Sequence, residues 1–161
     1  MTAHTAARTQ DSDHTDHASP VRAGAKVAIV GGGPGGYEAA TVAARMGADV
    51  TLVEDMGLGG SAVLTDVVPS KTLIATAEQA QELEDGTRLG VSATNLQIDL
   101  LRVNRRVQDL SQTQSKDIYF ALQNLGVRII SGRGRLDPSV GGDGRRTVVA
   151  STPQGEEKIA A

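Results

Sequence analysis

Apolar side chains in this chain come in short runs and helical stripes, each closed by a glycine or a proline. Val27, Ala28, Ile29 and Val30 form the first run, apolar and rich in branched side chains, which suits a strand buried in a parallel sheet. After a glycine turn, Ala39, Ala40, Ala43 and Ala44 predict a helix from about Gly35 to Arg45 whose small side chains allow close packing on that sheet. Gly47 stops it, and Asp49-Val50-Thr51-Leu52-Val53 predicts a second strand ending on Glu54. Pro69 suits the first turn of a further helix, which continues to about Glu84 before the stop at Asp85-Gly86.

The stretch from Asp99 to about Gly126 predicts a longer helix. Val103, Val107, Leu110, Ile118, Leu122 and Leu125 recur mostly at helical steps and form an apolar stripe, while Arg102, Arg105, Arg106 and Asp109 lie largely off it. Gln112, Thr113, Gln114 and Ser115 interrupt the stripe. A partner-binding coiled coil needs a longer run, so a helix packed on the sheet is the better account. Gly126 closes the helix and Val127-Arg128-Ile129-Ile130 reads as a third parallel strand. Arg146 to Ala150, a Pro153-Gln154-Gly155 turn and Glu157 to Ala160 then predict a small antiparallel hairpin, entered from a turn at Gly141-Gly142-Asp143-Gly144. Strands alternating with helices predict an α/β fold: a Rossmann-like domain over residues 25–161 with a parallel sheet, flanking helices and that β-hairpin. Residues 1–24 hold almost no large apolar side chain and are expected to be a disordered tail.

The turn between the first strand and helix carries the candidate chemistry. Gly31-Gly32-Gly33-Pro34-Gly35-Gly36 fits G-x-G-x-x-G, in which Gly31 permits a tight turn, Gly33 lets the backbone approach a pyrophosphate, and Gly36 brings helix and strand together. A helix N-terminus there offers free N–H groups and the positive end of the dipole to a diphosphate. Glu54, at the end of the second strand, stands where a carboxylate accepts hydrogen bonds from the adenosine ribose. The whole strand, turn, helix, strand and acid point to dinucleotide binding, against an ordinary glycine-rich loop with an exposed Glu54.

Charge and composition narrow the field. With a formal net charge of −3 and scattered basic residues, the chain lacks the footprint for nucleic acid or an anionic membrane surface. No apolar run approaches the roughly 20 residues of a membrane span, and the N-terminus lacks the apolar core of a signal peptide, so a cytoplasmic protein is expected. His4, His14 and His17 lie beside Asp11, Asp13 and Asp16; solvated low-complexity sequence accounts for them better than a metal site, because nothing fixes a coordination geometry. Cysteine is absent, which removes disulfides, thiolate metal sites and thiol catalysis together.

One further segment, Gly59-Gly60-Ser61-Ala62-Val63-Leu64-Thr65-Asp66-Val67-Val68-Pro69-Ser70-Lys71, resembles the G-G-T-C-x4-C-x-P-S-K segment of the flavoprotein disulfide reductases, the family of dihydrolipoamide dehydrogenase. The family's two redox cysteines fall on Ala62 and Val67, so a dithiol relay, which needs attacking thiolates, is excluded here. Residues 59–66 are most similar to the G-G-x-A-V-L-x-D variant of actinobacterial NAD(P)H:quinone reductases within that family. Carried over residue by residue, the resemblance implies FAD, with Gly31, Gly33, Pro34, Gly35 and Gly36 at its pyrophosphate and Glu54 at the adenosine ribose. It implies close backbone approach at Gly59 and Gly60, a phosphate contact from the Ser61 hydroxyl, and adenine contacts from the backbone of Gly132, Arg133 and Gly134. Lys71 becomes the candidate catalytic residue, beside the flavin ring near its hydride-accepting nitrogen, where an ammonium stabilises negative charge. Without the resemblance, Lys71 is a solvated lysine in a helix's first turn, and residues 131–136 are a glycine-relaxed strand.

The implied function is the FAD-binding N-terminal part of a flavin-dependent NAD(P)H oxidoreductase of quinone reductase type. NAD(P)H is then the co-substrate of a full-length, homodimeric parent, and a quinone-like molecule the electron acceptor. The alternative is a non-catalytic nucleotide-binding fragment or degenerate remnant; a classical NAD-binding dehydrogenase domain leaves GGSAVLTDVVPSK without a role. Because the resemblance covers only the N-terminal portion of such an enzyme, a truncated product or partial reading frame is expected. An uncovered sheet edge and helix face would make it poorly soluble or loosely folded.

Overall fold

The computed structural model describes residues 24–91, 95–142 and 144–161, leaving aside the Thr87 side chain. The expected tail over residues 1–24 and its histidine–aspartate cluster lie outside the described residues except for Gly24, whose amide donates to the Gly47 carbonyl at 2.8 Å.

Three short runs build a parallel sheet in the order β1-β2-β3: β1 (Lys26–Val30), β2 (Asp49–Glu54) and β3 (Arg128–Ser131). The pairing sets Ile29 beside Leu52 and Leu52 beside Ile129, so branched side chains form a row across the sheet. Helix α1 (Pro34–Arg45) connects β1 to β2. Between β2 and β3 lie α2 (Gly60–Leu64), α3 (Val67–Asp85), a single 3-10 turn (Gly86–Leu89) and α4 (Leu100–Asn124). A second sheet follows, antiparallel and in the order β4-β5-β6: β4 (Arg133–Val140), β5 (Arg146–Thr152) and β6 (Gly155–Ala160).

The alternation of side chains along β2 divides the core in two. Val50 and Leu52 face the helices and are packed with Ala40 of α1, Leu122 of α4, Leu58 and Val127. Val53 faces the other way and packs with Ile130 of β3 and with Val148, Ala150 and Ile159 of the second sheet. The parallel sheet is therefore the middle of three layers, covered by helices on one face and by the antiparallel sheet on the other. Burying side chains such as Leu52, which is fully enclosed, contributes about 1.5–3 kcal/mol each. Gly134 permits the close approach of the two sheets: a Cβ there would lie 2.7 Å from Val30 Cγ1 and 3.3 Å from Val53 Cβ.

Several elements extend the sequence reading. The expected hairpin is present as β5 and β6, and β4 adds a third strand to it. Its sequence, RGRLDPSV, weakens the strand signal with glycine, aspartate and proline, and the ladder absorbs them through an irregular register between Leu136 and Val140. Helix α3 begins at Val67, so Pro69 is its third residue; the first-turn amides have no intrahelical acceptor, and a missing N–H there costs nothing. Lys71 accordingly sits beyond the first turn. The stripe of α4 also runs differently: Leu110 is 41% exposed, while Ser111 is buried and its hydroxyl donates to the Val107 carbonyl at 3.1 Å. A small side chain that satisfies its own hydroxyl on the helix backbone carries the stripe across the polar stretch.

Candidate functional site

Gly31 has φ of +97°, a left-handed conformation that turns the chain sharply out of β1, and its amide donates to Val53 O at 2.8 Å. The turn ends in α1, with Gly33 at the N-cap position and Pro34 at the first helical position. Gly36 lies directly over Gly31: a Cβ there would sit 1.8 Å from the Gly31 carbonyl oxygen, which only glycine avoids. At Gly33 and Gly35, by contrast, a Cβ would meet nothing within 4 Å. The first bond of α1 runs from Tyr37 N–H to Gly33 O at 3.0 Å, so the amides of Gly35 and Gly36 have no intrahelical acceptor. Open space beside free donors at a helix start suits an anion of the size of a diphosphate.

Two other segments close on this turn. Gly59 N–H donates to Gly32 O at 2.8 Å, and a Cβ on Gly60 would lie 2.9 Å from Gly33 Cα. The paired glycines thus let the start of α2 rest against the glycine turn. Ser61 follows them, exposed, its hydroxyl without a hydrogen-bond partner among the described residues. Ala62 and Val67, at the positions of the family's cysteines, lie in α2 and at the start of α3. Lys71 is exposed on α3 and does not line either of the cavities described below.

Glu54 is gripped by the backbone. Its Oε2 accepts from Gly32 N–H at 2.5 Å, and its Oε1 accepts from Met56 N–H at 2.7 Å and Gly57 N–H at 3.2 Å. Burial raises its pKa, but the amides of Gly32, Met56, Gly57 and Asp55 outweigh that and leave the carboxyl below its ordinary value of 4.5. The three N–H groups orient the carboxylate at the mouth of the glycine turn and favour its charged form. Oε1 already accepts two N–H bonds, but Oε2 accepts one and keeps a second lone pair for a ligand hydroxyl.

Beside Glu54 opens a cavity of about 300 Å³ at the C-terminal ends of β2 and β3, the edge of an open α/β sheet where ligands bind. Gly57, Leu58, Ile129 and Ser131 contribute to its lining together with Ser115, Lys116 and Tyr119 of α4. The α4 residues escape sequence reading because Ser115 lies in the polar stretch that breaks the apolar stripe and Lys116 and Tyr119 follow it without belonging to the stripe; a tyrosine among so few aromatic residues was the available signal. Of the expected adenine contacts, Gly132, Arg133 and Gly134 do not line this cavity. Gly132 and Gly134 have a packing reason for being glycine, since a Cβ on Gly132 would lie 2.6 Å from Ser151 O. A larger cavity of about 660 Å³ between α3 and α4, lined by residues such as Leu83, Ile98, Arg102 and Arg106, touches none of the glycine turn. Size alone does not make it the site, because it lacks the convergent backbone donors of the turn.

The layered fold and this turn define a dinucleotide-binding α/β protein. The chain belongs to the pyridine nucleotide-disulphide oxidoreductase family, whose pattern it matches over residues 25–151. It is 41% identical over 135 residues to an NAD(P)H dehydrogenase (quinone) of Mycobacterium tuberculosis, covering 81% of this chain and 27% of the relative. A dihydrolipoyl dehydrogenase of Chlorobaculum parvum is 38% identical over 115 residues, covering 71% and 24%. Among solved structures, LpdA from Mycobacterium tuberculosis superposes with a TM-score of 0.77 at 40% identity, over 85% of this chain and 30% of that one. The chain spans about a quarter of the length of the curated relatives it matches. Among the described residues no helix is long and apolar enough to cross a membrane.

Proposed function

We propose that this chain is the FAD-binding part of a flavin-dependent NAD(P)H oxidoreductase that delivers electrons to a quinone-like acceptor without a protein dithiol. The observation that carries this is the glycine turn, where open space at Gly33 and Gly35 meets the uncapped amides of α1. The absence of cysteine and the likeness to a protein named NAD(P)H dehydrogenase (quinone) support the direct route to the acceptor. FAD, when bound, supplies a two-electron carrier between the nicotinamide and the acceptor.

The chain's own residues bind and orient. Gly33, Gly35 and Gly36 offer backbone N–H groups to the pyrophosphate, while Gly31, whose N–H donates to Val53 O, makes the turn and Pro34, which has no N–H, starts the helix beside it; Gly59 and Gly60 pack behind them and the Ser61 hydroxyl is offered to a phosphate oxygen. Glu54 accepts from the ribose while its backbone grip keeps it in place. The exposed ammonium of Lys71 would compensate negative charge near the flavin, and the backbone that follows Ser131, at Gly132, Arg133 and Gly134, would border the adenine end just outside the cavity beside Glu54. NAD(P)H as co-substrate, a homodimeric parent and a cytoplasmic location belong to the same proposal. The test is titration of the chain with FAD, followed by flavin absorbance and fluorescence. Tight binding with a perturbed flavin spectrum is expected, and a spectrum identical to free FAD would overturn the cofactor assignment. In the longer parent, NAD(P)H should bleach the flavin and a quinone restore it; turnover of a disulfide with no quinone turnover would overturn the acceptor.

A further inference from the structure

We propose that Tyr119 and Lys116 of α4 form the wall of an adenosine pocket opposite Glu54, with Tyr119 supplying the aromatic face for the purine. This rests on the FAD proposal above and extends it to residues of a helix outside the glycine turn and its flanking loops. Among the described residues lining the cavity of about 300 Å³, Tyr119 is the one aromatic side chain. It is 38% exposed, so its ring is not spent on the core. Two contacts orient the ring: Gln123 Nε2 donates to its hydroxyl at 2.9 Å, and Phe120 meets it edge-on with centroids 5.7 Å apart and planes at 81°. A flat ring already ordered loses little freedom when a planar heterocycle packs on it.

Lys116 lines the same cavity and has no ion-pair or hydrogen-bond partner among the described residues. It shares the space with Glu54 and Asp55, whose carboxylates by themselves would repel a phosphorylated ligand. The combination of a fixed aromatic ring, an acceptor held ready in Glu54 and one free cation fits an adenine nucleotide. The adenosine end of FAD and a free nucleotide such as ADP offer the same chemistry, and the experiment separates them.

Equilibrium binding of FAD, ADP and FMN is measured on the 161-residue chain, for the wild type and for Tyr119→Ala, Tyr119→Phe and Lys116→Gln. Tyr119→Ala is expected to weaken FAD and ADP about tenfold, to leave FMN binding as it was, and to leave the melting of the free protein nearly unchanged; Tyr119→Phe keeps the ring and the affinity. Lys116→Gln is expected to weaken FAD and ADP a few-fold at low salt, with the difference fading at high salt. If Tyr119→Ala fails to fold, Tyr119→Leu removes the π face while retaining bulk and takes its place. Unchanged FAD and ADP affinity in Tyr119→Ala, or in Tyr119→Leu where that takes its place, would overturn the inference while leaving the FAD proposal standing. Tyr119-dependent binding of ADP by a chain that does not bind FAD would overturn the FAD proposal alone, and binding of neither would overturn both.

Discussion

A methyl group added at Gly36 would collide with the Gly31 carbonyl 1.8 Å away, whereas one added at Gly33 would enter space in which the protein has no atom within 4 Å. Two glycines of one motif therefore have separate tasks, and substitution separates them. Gly36→Ala is expected to destabilise the fold by about 3 kcal/mol, because the obstacle is backbone and cannot rotate away. Gly33 has φ of −66°, a value alanine adopts without strain, so Gly33→Ala should change stability by less than about 1 kcal/mol. It should nevertheless weaken FAD at least about tenfold by blocking close backbone approach. Urea unfolding and FAD titration of both variants check this, and retention of full affinity in folded Gly33→Ala would contradict it. The spacing of these glycines was legible in the sequence. The grip of Gly32, Met56 and Gly57 on Glu54 was not, since it depends on a loop folding back onto its own strand end.

At the scale of elements, α4 shows where sequence patterns succeed and where they mislead. Its existence followed from the helical recurrence of Val107, Leu122 and their neighbours, and its start from Asp99, whose carboxylate accepts from Arg102 N–H at 3.0 Å as a cap. Asp99→Ala should cost about 1 kcal/mol, visible as a lower urea midpoint and faster amide exchange in the first turn of α4. FAD affinity should be untouched, because the cavity is formed by residues 115, 116 and 119 further along the helix; a loss of affinity would show that the cap positions the site. What misled was polarity: Ser111 was passed over as core, although a serine that donates to its own helix backbone is buried without an unsatisfied group. Strand β4 runs further than the glycine-relaxed strand that residues 131–136 predict. Glycine, aspartate and proline argue against a strand locally, and only pairing with β5 overrides them.

For the molecule as a whole, three layers leave some apolar surface uncovered. Helix α3 has no buried residue, and its Val67, Leu73, Ile74 and Leu83 are all exposed. Neither β1 nor β3 has a second neighbouring strand among the described residues. The 161-residue chain on its own should therefore self-associate, with light scattering giving a mass above 16.7 kDa that falls on dilution; a constant 16.7 kDa would show that these surfaces tolerate water. By itself the sequence determined what depends on neighbours along the chain: the strand–turn–helix unit, the acid at the end of β2, the stripe of α4, and the absence of thiol chemistry from a chain without cysteine. Tertiary structure alone decided which distant segments meet: Gly59 and Gly60 against the glycine turn, the antiparallel sheet against Val53, and Tyr119 and Lys116 on the same cavity as Glu54. The physical reason is that local pattern encodes backbone preference and a buried face. The walls of a site come from side chains whose proximity is set by packing between elements far apart in the chain.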